Sequence, residues 1–156
     1  MTTDQARISV FAASIRPHLW KELFDSLEQT DIPIEVVFAG NLTEAVIQQS
    51  FQEKKFFFRY IKTCNIKPAQ AAEIARLACE GELLHWTADD AVYSPHLLDD
   101  VWELWQSLNN YKTIVSCQTI EDKNFVLLER HRLFWKAIHT PQMAPLGFIG
   151  RVFMEE

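Results

Sequence analysis

Apolar positions in the first two thirds of the chain alternate between short unbroken runs and runs spaced by three or four residues. Ile8–Ala13 (ISVFAA) is a compact apolar run of strand length, suited to a strand buried on both faces. Ser14–Pro17 interrupts it. Leu19, Trp20, Leu23, Phe24 and Leu27 then share one helical face, with Lys21, Glu22, Asp25 and Glu28 on the other. Thr30–Pro33 ends that helix, and Ile34–Ala39 (IEVVFA) predicts a second strand closed by Gly40 and Asn41. Asn41 or Thr43 is placed to cap a helix running to about Gln52, with Ala45, Val46 and Phe51 as its buried side. Phe56–Ile61 (FFFRYI) predicts a third strand. Pro68 opens an Ala-rich helix to about Glu80, where Ala71, Ile74, Ala75 and Ala78 permit close approach to a sheet, and Gly81 is its stop signal.

Leu83–Trp86 is the next apolar run, and the acidic pair Asp89–Asp90 follows it. Ser94 and Pro95 predict the N-cap and first position of a helix to about Leu108, with Leu97, Leu98, Val101, Trp102, Leu104 and Trp105 at helical spacing. Asn109 and Asn110 make a turn, and Thr113–Cys117 predicts a fifth strand. The regularity then fades: Phe125–Leu128 fits a strand, Arg130–Ile138 a short helix, Pro141–Pro145 a loop, and Leu146–Phe153 a final strand or the start of another element. Strand and helix alternate often enough to predict an α/β protein, a mostly parallel sheet flanked by helices on both faces. Right-handed crossovers would align Ala13–Arg16, Gly40–Asn41, Cys64–Lys67 and Asp89–Asp90 along one edge, where open α/β sheets bind ligands.

The totals narrow the partners. The 156 residues suffice for one domain with a sizeable core, and 48% hydrophobic against 23% charged is globular composition. A formal net charge of −6 with no Lys/Arg run speaks against nucleic acid as the main partner. Cys64, Cys79 and Cys117 lie far apart and read as free thiols of a reducing compartment. Met1–Arg7 is polar, without the pattern of a leader, and no run reaches the roughly 18 apolar residues of a spanning helix. A cytoplasmic protein without a transmembrane segment is expected.

Two carboxylates at a strand end suit a hard divalent cation, Mg2+ or Mn2+, which takes oxygen ligands and keeps positions open for phosphate. The alternative is that Asp89 and Asp90 only solvate a turn. His85 and His96 flank the pair, yet His85 falls within the strand as a core histidine and His96 within a helical first turn. Asp99 and Asp100 are expected to face water, and Trp102 and Trp105 to belong to the core. The four glycines form neither a dinucleotide fingerprint nor a P-loop, and there is no nucleophile elbow.

In order and spacing, ISVFAASIRP, IEVVFAGN and NIKPAQAAEIARLACEGELLHWTADDAVYSPHLLDD resemble the nucleotide-sugar-binding half of family 2 glycosyltransferases of GT-A fold. The third segment is the most specific. An Ala-rich helix ends at Gly81-Glu82, a strand and the DxD-type Thr87-Ala88-Asp89-Asp90 follow, and Tyr93-Ser94-Pro95-His96-Leu97-Leu98 matches the family's next helix start. MAPLGFIGRVFMEE resembles the family's acceptor-side segment, whereas Gln118–His139 carries no landmark. The resemblance implies a GT-A, nucleotide-diphospho-sugar transferase-like (Rossmann-like) domain over residues 1–156, either compact or lacking the acceptor-side C-terminal part. Asp90, with Asp89 beside it, would ligate Mn2+ or Mg2+ against the diphosphate, and Asp89 would face the ribose or the metal's water shell. Ala12, Ala13 and Ser14 would lie under the nucleobase, Gly40 at the end of the second strand, and Lys67 in the loop that supplies a base or phosphate contact. The implied reaction is metal-dependent sugar transfer from a nucleotide sugar, a UDP-sugar above others, to an acceptor. There are departures. Ala39-Gly40-Asn41 replaces the acidic cluster that reads uracil, Ala13-Ser14-Ile15-Arg16 replaces a P-T-x-N-like end, and no residue matches the catalytic base. A non-catalytic nucleotide- or glycan-binding module is therefore the alternative.

Overall fold

The computed structural model describes residues 6–51, 53–110, 113–121, 126–134 and 147–150. The described strands are β1 (Ile8–Ala13), β2 (Ile34–Gly40), β3 (Phe57–Lys62), β4 (Leu83–Trp86), β5 (Ala91–Tyr93), β6 (Ile114–Glu121), β7 (Val126–Phe134) and β8 (Gly147–Gly150). The helices are α1 (Trp20–Leu27, entered through a 3-10 turn over Pro17–Leu19), α2 (Glu44–Ser50), α3 (Pro68–Leu77) and α4 (Leu97–Leu108). All eight strands form one sheet in the order β3-β2-β1-β4-β8-β6-β7-β5. The first four are parallel, with Ile8 level with both Ile34 and Leu83, and Glu35 level with Phe57. The chain steps outward from β1 to β3 and then crosses back to β4, so the topological switch point lies between β1 and β4.

Side chains alternate across these strands, and both faces are covered. On one face Val10, Ala12, Val36, Phe38 and Leu83 pack with Trp20, Leu23, Phe24 and Leu27 of α1 and with Leu97, Leu98 and Val101 of α4. On the other, Phe11, Val37, Ala39 and Leu84 meet Ala71 and Ala75 of α3, whose small side chains let the helix lie close. Rings fill the first layer: Trp20 stands 5.6 Å from Phe38 and 5.5 Å from Phe58, and Phe24 stands 5.1 Å from Phe58. Among the described residues, no helix is long and apolar enough to cross a membrane.

Several expected details are corrected. The residues after the acidic pair are extended, because Ala91–Tyr93 pair in parallel with β7 (Ala91 level with Val126), a partner remote in sequence. The chain then reverses through a turn closed by the Leu97 amide on the Ser94 carbonyl, with His96 left-handed (φ 58°), and α4 starts at Leu97 rather than at Pro95. Ser94 is not its N-cap. In α2 the inward residue is Ile47, joined by Leu42 and Phe51 on either side, whereas Ala45 is exposed. Residues 130–134, expected as helix, lie in β7, paired antiparallel with β6. In the closing segment the expected final strand is present over its described residues as β8, running antiparallel between β4 and β6. The loop expected over 141–145 and the end of the helix expected over 130–138 fall outside the described residues.

Candidate functional site

The C-terminal ends of the four parallel strands open into a cleft of about 370 Å³ lined by Ala13, Ser14, Arg16, Gly40, Asn41, Thr63, Cys64 and Asp89, with the start of α3 along one side. The four chain segments that periodicity aligned along one edge all contribute to it. β1 and β2 end level, Ala13 with Ala39, and the Thr63 amide after β3 bonds the Gly40 carbonyl at 2.6 Å. The close approach at this rim requires glycine. A Cβ on Gly40 would collide with the Tyr60 hydroxyl and the Ser14 carbonyl, two groups already joined by a 2.8 Å hydrogen bond from the Tyr60 Oη. Tyr60 also accepts the Leu42 amide at 3.3 Å, and burial pushes its phenol above the ordinary value.

Asp89 is the buried acid of the cleft, 4% exposed. Its Oδ2 accepts the Ser14 hydroxyl at 2.7 Å, and the same hydroxyl oxygen accepts the indole N–H of fully buried Trp20 at 2.8 Å. The relay Trp20–Ser14–Asp89 thus fixes the carboxylate from the core side. From the cleft side Arg16 reaches both carboxylates. Its Nε lies 3.4 Å from Asp89 Oδ2, its Nη2 donates to Asp89 Oδ1, and the same Nη2 lies 3.3 Å from Asp90 Oδ2. The hydrogen bond to Asp89 raises the Arg16 guanidinium above its ordinary value, so it is fully charged. Roughly half of the Arg16 side chain remains exposed, against 5% of Asp89's and 29% of Asp90's. The Oγ1 of Thr63 is buried in this rim with no hydrogen-bond partner among the described residues.

Of the residues singled out in the sequence, Ala13, Ser14, Gly40 and Asp89 line the cleft. Ala12 lies one residue deeper, 1% exposed and packed in the core beneath it. Lys67 is exposed at the N-cap of α3, between the lining residues Ile66 and Pro68. Asp90 adjoins the cleft through Arg16. Arg16 and Asn41 enter the sequence reading as members of the aligned edge, Asn41 also as a candidate helix cap, but neither they nor Thr63 are assigned a contact with a ligand or with the acidic pair. The available signal for Arg16 was its place just past the first strand, opposite the acidic pair.

The two histidines do not join the acidic pair. His85 is fully buried in β4, its ring 5.7 Å edge-on from Tyr93, as expected of a core histidine. His96 gathers with Asp31 and Asp99 before the N-terminal end of β2, with ligand atoms within 4.8 Å of one another. Asp99 does not simply face water, as expected from sequence. Its carboxylate accepts the amides of Asp31 (3.0 Å) and Ile32 (2.9 Å), tying α4 to the loop before β2.

The fold is similar to that of several solved proteins, a mannosyltransferase among them. The mannosyltransferase PcManGT from Pyrobaculum calidifontis, solved in complex with GDP-Man and Mn2+, matches 74% of this chain with 36% of its own at 20% identity and a TM-score of 0.55. S. aureus TarS 1–349, solved in complex with UDP, matches 96% of this chain with 48% of its own at 13% identity and a TM-score of 0.69. A longer TarS structure matches 96% of this chain with 29% of its own at 15% identity and a TM-score of 0.65. At these identities the likeness is one of fold, and this chain spans about a third to a half of the length of those proteins. No protein-family profile and no curated protein matches the sequence.

Proposed function

We propose that the cleft binds a nucleotide sugar together with Mn2+ or Mg2+, and that the chain is the donor-binding part of an enzyme that transfers the sugar to an acceptor. The observation that carries this is Asp89, a buried carboxylate held at the switch point of a fold shared with a mannosyltransferase solved with GDP-Man and Mn2+. The donor set suits a hard cation. Two neighbouring carboxylates supply oxygen ligands, and a positive group, the Arg16 guanidinium, already lies against both. Bound there, the cation would supply Lewis acidity to the leaving diphosphate.

The chain's own residues do the rest. Ser14 orients Asp89 through a hydrogen bond backed by Trp20, leaving the carboxylate little rotational freedom. Gly40 lets the base approach the strand ends without a side chain in the way. The unpaired Thr63 hydroxyl and the Asn41 amide give the rim polar groups for a base or ribose, and Lys67 stands where a phosphate or base edge would pass. Among the described residues the only carboxylate lining this cleft is Asp89, itself engaged by Ser14 and Arg16. Uracil presents a single ring donor, N3–H, which the Asn41 side-chain oxygen can accept in place of the missing acidic cluster, whereas guanine presents N1–H and N2–H together and calls for a carboxylate, so a UDP-sugar is the favoured donor.

Calorimetric titration with UDP-sugars and GDP-sugars plus Mn2+ tests this. UDP-sugar binding by the wild type, weakened about tenfold or more in Asp90→Ala, is expected. No binding by the wild type, or equal binding by the variant, overturns the reading. A binding module without turnover is the second reading, favoured by the neutralisation of the acidic pair by Arg16. Slow metal-dependent hydrolysis of the bound nucleotide sugar supports the enzyme, and tight binding without turnover across an acceptor screen supports the module.

A further inference from the structure

We propose that Arg16 is a resident counter-cation of the acidic pair, and that it transfers to the nucleotide diphosphate when donor and metal enter, so that the two ligands bind interdependently. The inference rests on the donor-site reading above. Two adjacent carboxylates, one of them almost buried, repel one another unless a positive charge lies between them. In the cleft that charge is the Arg16 guanidinium, bonded to both oxygens of Asp89 and within 3.3 Å of Asp90. A divalent cation drawn to the same oxygens meets a like charge and must displace it.

The geometry allows the displacement. Arg16 lines the cleft, half of its side chain is exposed, and it sits just outside β1 at the entry to the 3-10 turn rather than within a packed element. A guanidinium released from Asp89 finds a better partner in a diphosphate, whose oxygens accept its parallel N–H groups two at a time. Asp89 keeps its orientation meanwhile, because the Ser14 hydroxyl remains bonded to Oδ2 and Trp20 to Ser14. Direct attraction between metal and diphosphate contributes a coupling in any such site, and the exchange of Arg16 adds to it. By linkage, each ligand tightens the other by one shared factor.

The test is titration of the full chain with MnCl2, followed by the electron-spin resonance of free Mn2+, with and without saturating UDP. Wild type should bind Mn2+ weakly alone and much more tightly with UDP. Arg16→Gln should bind Mn2+ alone about tenfold more tightly than wild type, bind UDP more weakly, and show a UDP-dependent gain reduced by about the same factor. Arg16→Lys keeps one charge but cannot serve two carboxylates at once, so it should fall between them. Its melting temperature and the Trp fluorescence of both variants report whether the fold is intact. If wild type binds Mn2+ and UDP while both variants bind Mn2+ alone no more tightly than wild type, the role of Arg16 falls and the donor site stands. If wild type binds neither ligand, both fall.

Discussion

Ser14 is the last residue of the first strand's approach to the cleft, and its single hydroxyl serves two masters: it accepts from Trp20 in the core and donates to Asp89 at the site. Ser14→Ala leaves the Trp20 indole N–H buried without an acceptor. Such an orphan should cost about 1–3 kcal/mol, read as a lower urea midpoint at unchanged slope. Cys79 is another residue whose environment sets its behaviour. Burial, aided by the negative charge of Glu35, pushes its thiol from an ordinary 9.0 up to about 12. The folded chain therefore keeps a proton that the unfolded chain releases above 9.0, so stability falls as pH rises from about 9 toward 12. Cys79→Ala should flatten that part of the stability curve, measured by denaturant melts at pH 8 and pH 10.5. Asp89 was legible in the sequence as an acid after a strand. Its pairing with Arg16 was not, because the two are 73 residues apart and only the parallel pairing of β1 with β4 makes them neighbours.

Among the elements, those whose apolar spacing was strongest were read closely: α1 buries Trp20, Leu23, Phe24 and Leu27, and α3 buries Ala71 and Ala75. The failures lie where a remote partner decides. Residues 91–93 become a strand because β7 pairs with them, and the start of α4 moves to Leu97 in consequence. In α2 a seven-residue helix with no fully buried residue takes its orientation from the neighbouring rings rather than from its own pattern. Beyond the packing of Leu97, Leu98 and Val101, α4 is tied to the loop before β2 by Asp99, which accepts two of that loop's backbone amides. Hydrogen bonds to a charged acceptor are worth about 1.5–3 kcal/mol, so Asp99→Ala should lower stability by that order. Hydrogen exchange should show the Asp31 and Ile32 amides losing protection while those of β1 change only in line with global stability.

Across the whole molecule the two ends of the parallel strands have separate tasks. The C-terminal ends form the cleft. At the N-terminal ends Glu35, fully buried, accepts the Ser9 hydroxyl and the amides of Glu80 and Gly81, joining β1, β2 and the turn into β4. Gly81 is required there, since a Cβ would lie 2.5 Å from Ser9 Oγ and 2.7 Å from the Ser9 nitrogen. Glu35→Ala removes the acceptor of the buried Ser9 hydroxyl and of the Glu80 amide, while the Gly81 amide keeps Ser9 Oγ, and should destabilise by about 3 kcal/mol. Because this cluster lies at the opposite strand ends, Mn2+–UDP affinity of the folded fraction should stay within about twofold of wild type. A calorimetric titration below the melting range measures this.

The sequence by itself determined the α/β class, the four parallel strands and the edge at which they end. These follow from local periodicity, from Gly and Pro at the turns and from the handedness of crossovers, all of which neighbouring residues carry. Only the tertiary structure decided that Arg16 would close on Asp89 and Asp90, that Ser14 would link them to Trp20, and that β8 would run antiparallel beside β4. Those contacts join residues far apart in the chain, and which side chains meet is set by strand order and register, quantities that no local pattern contains.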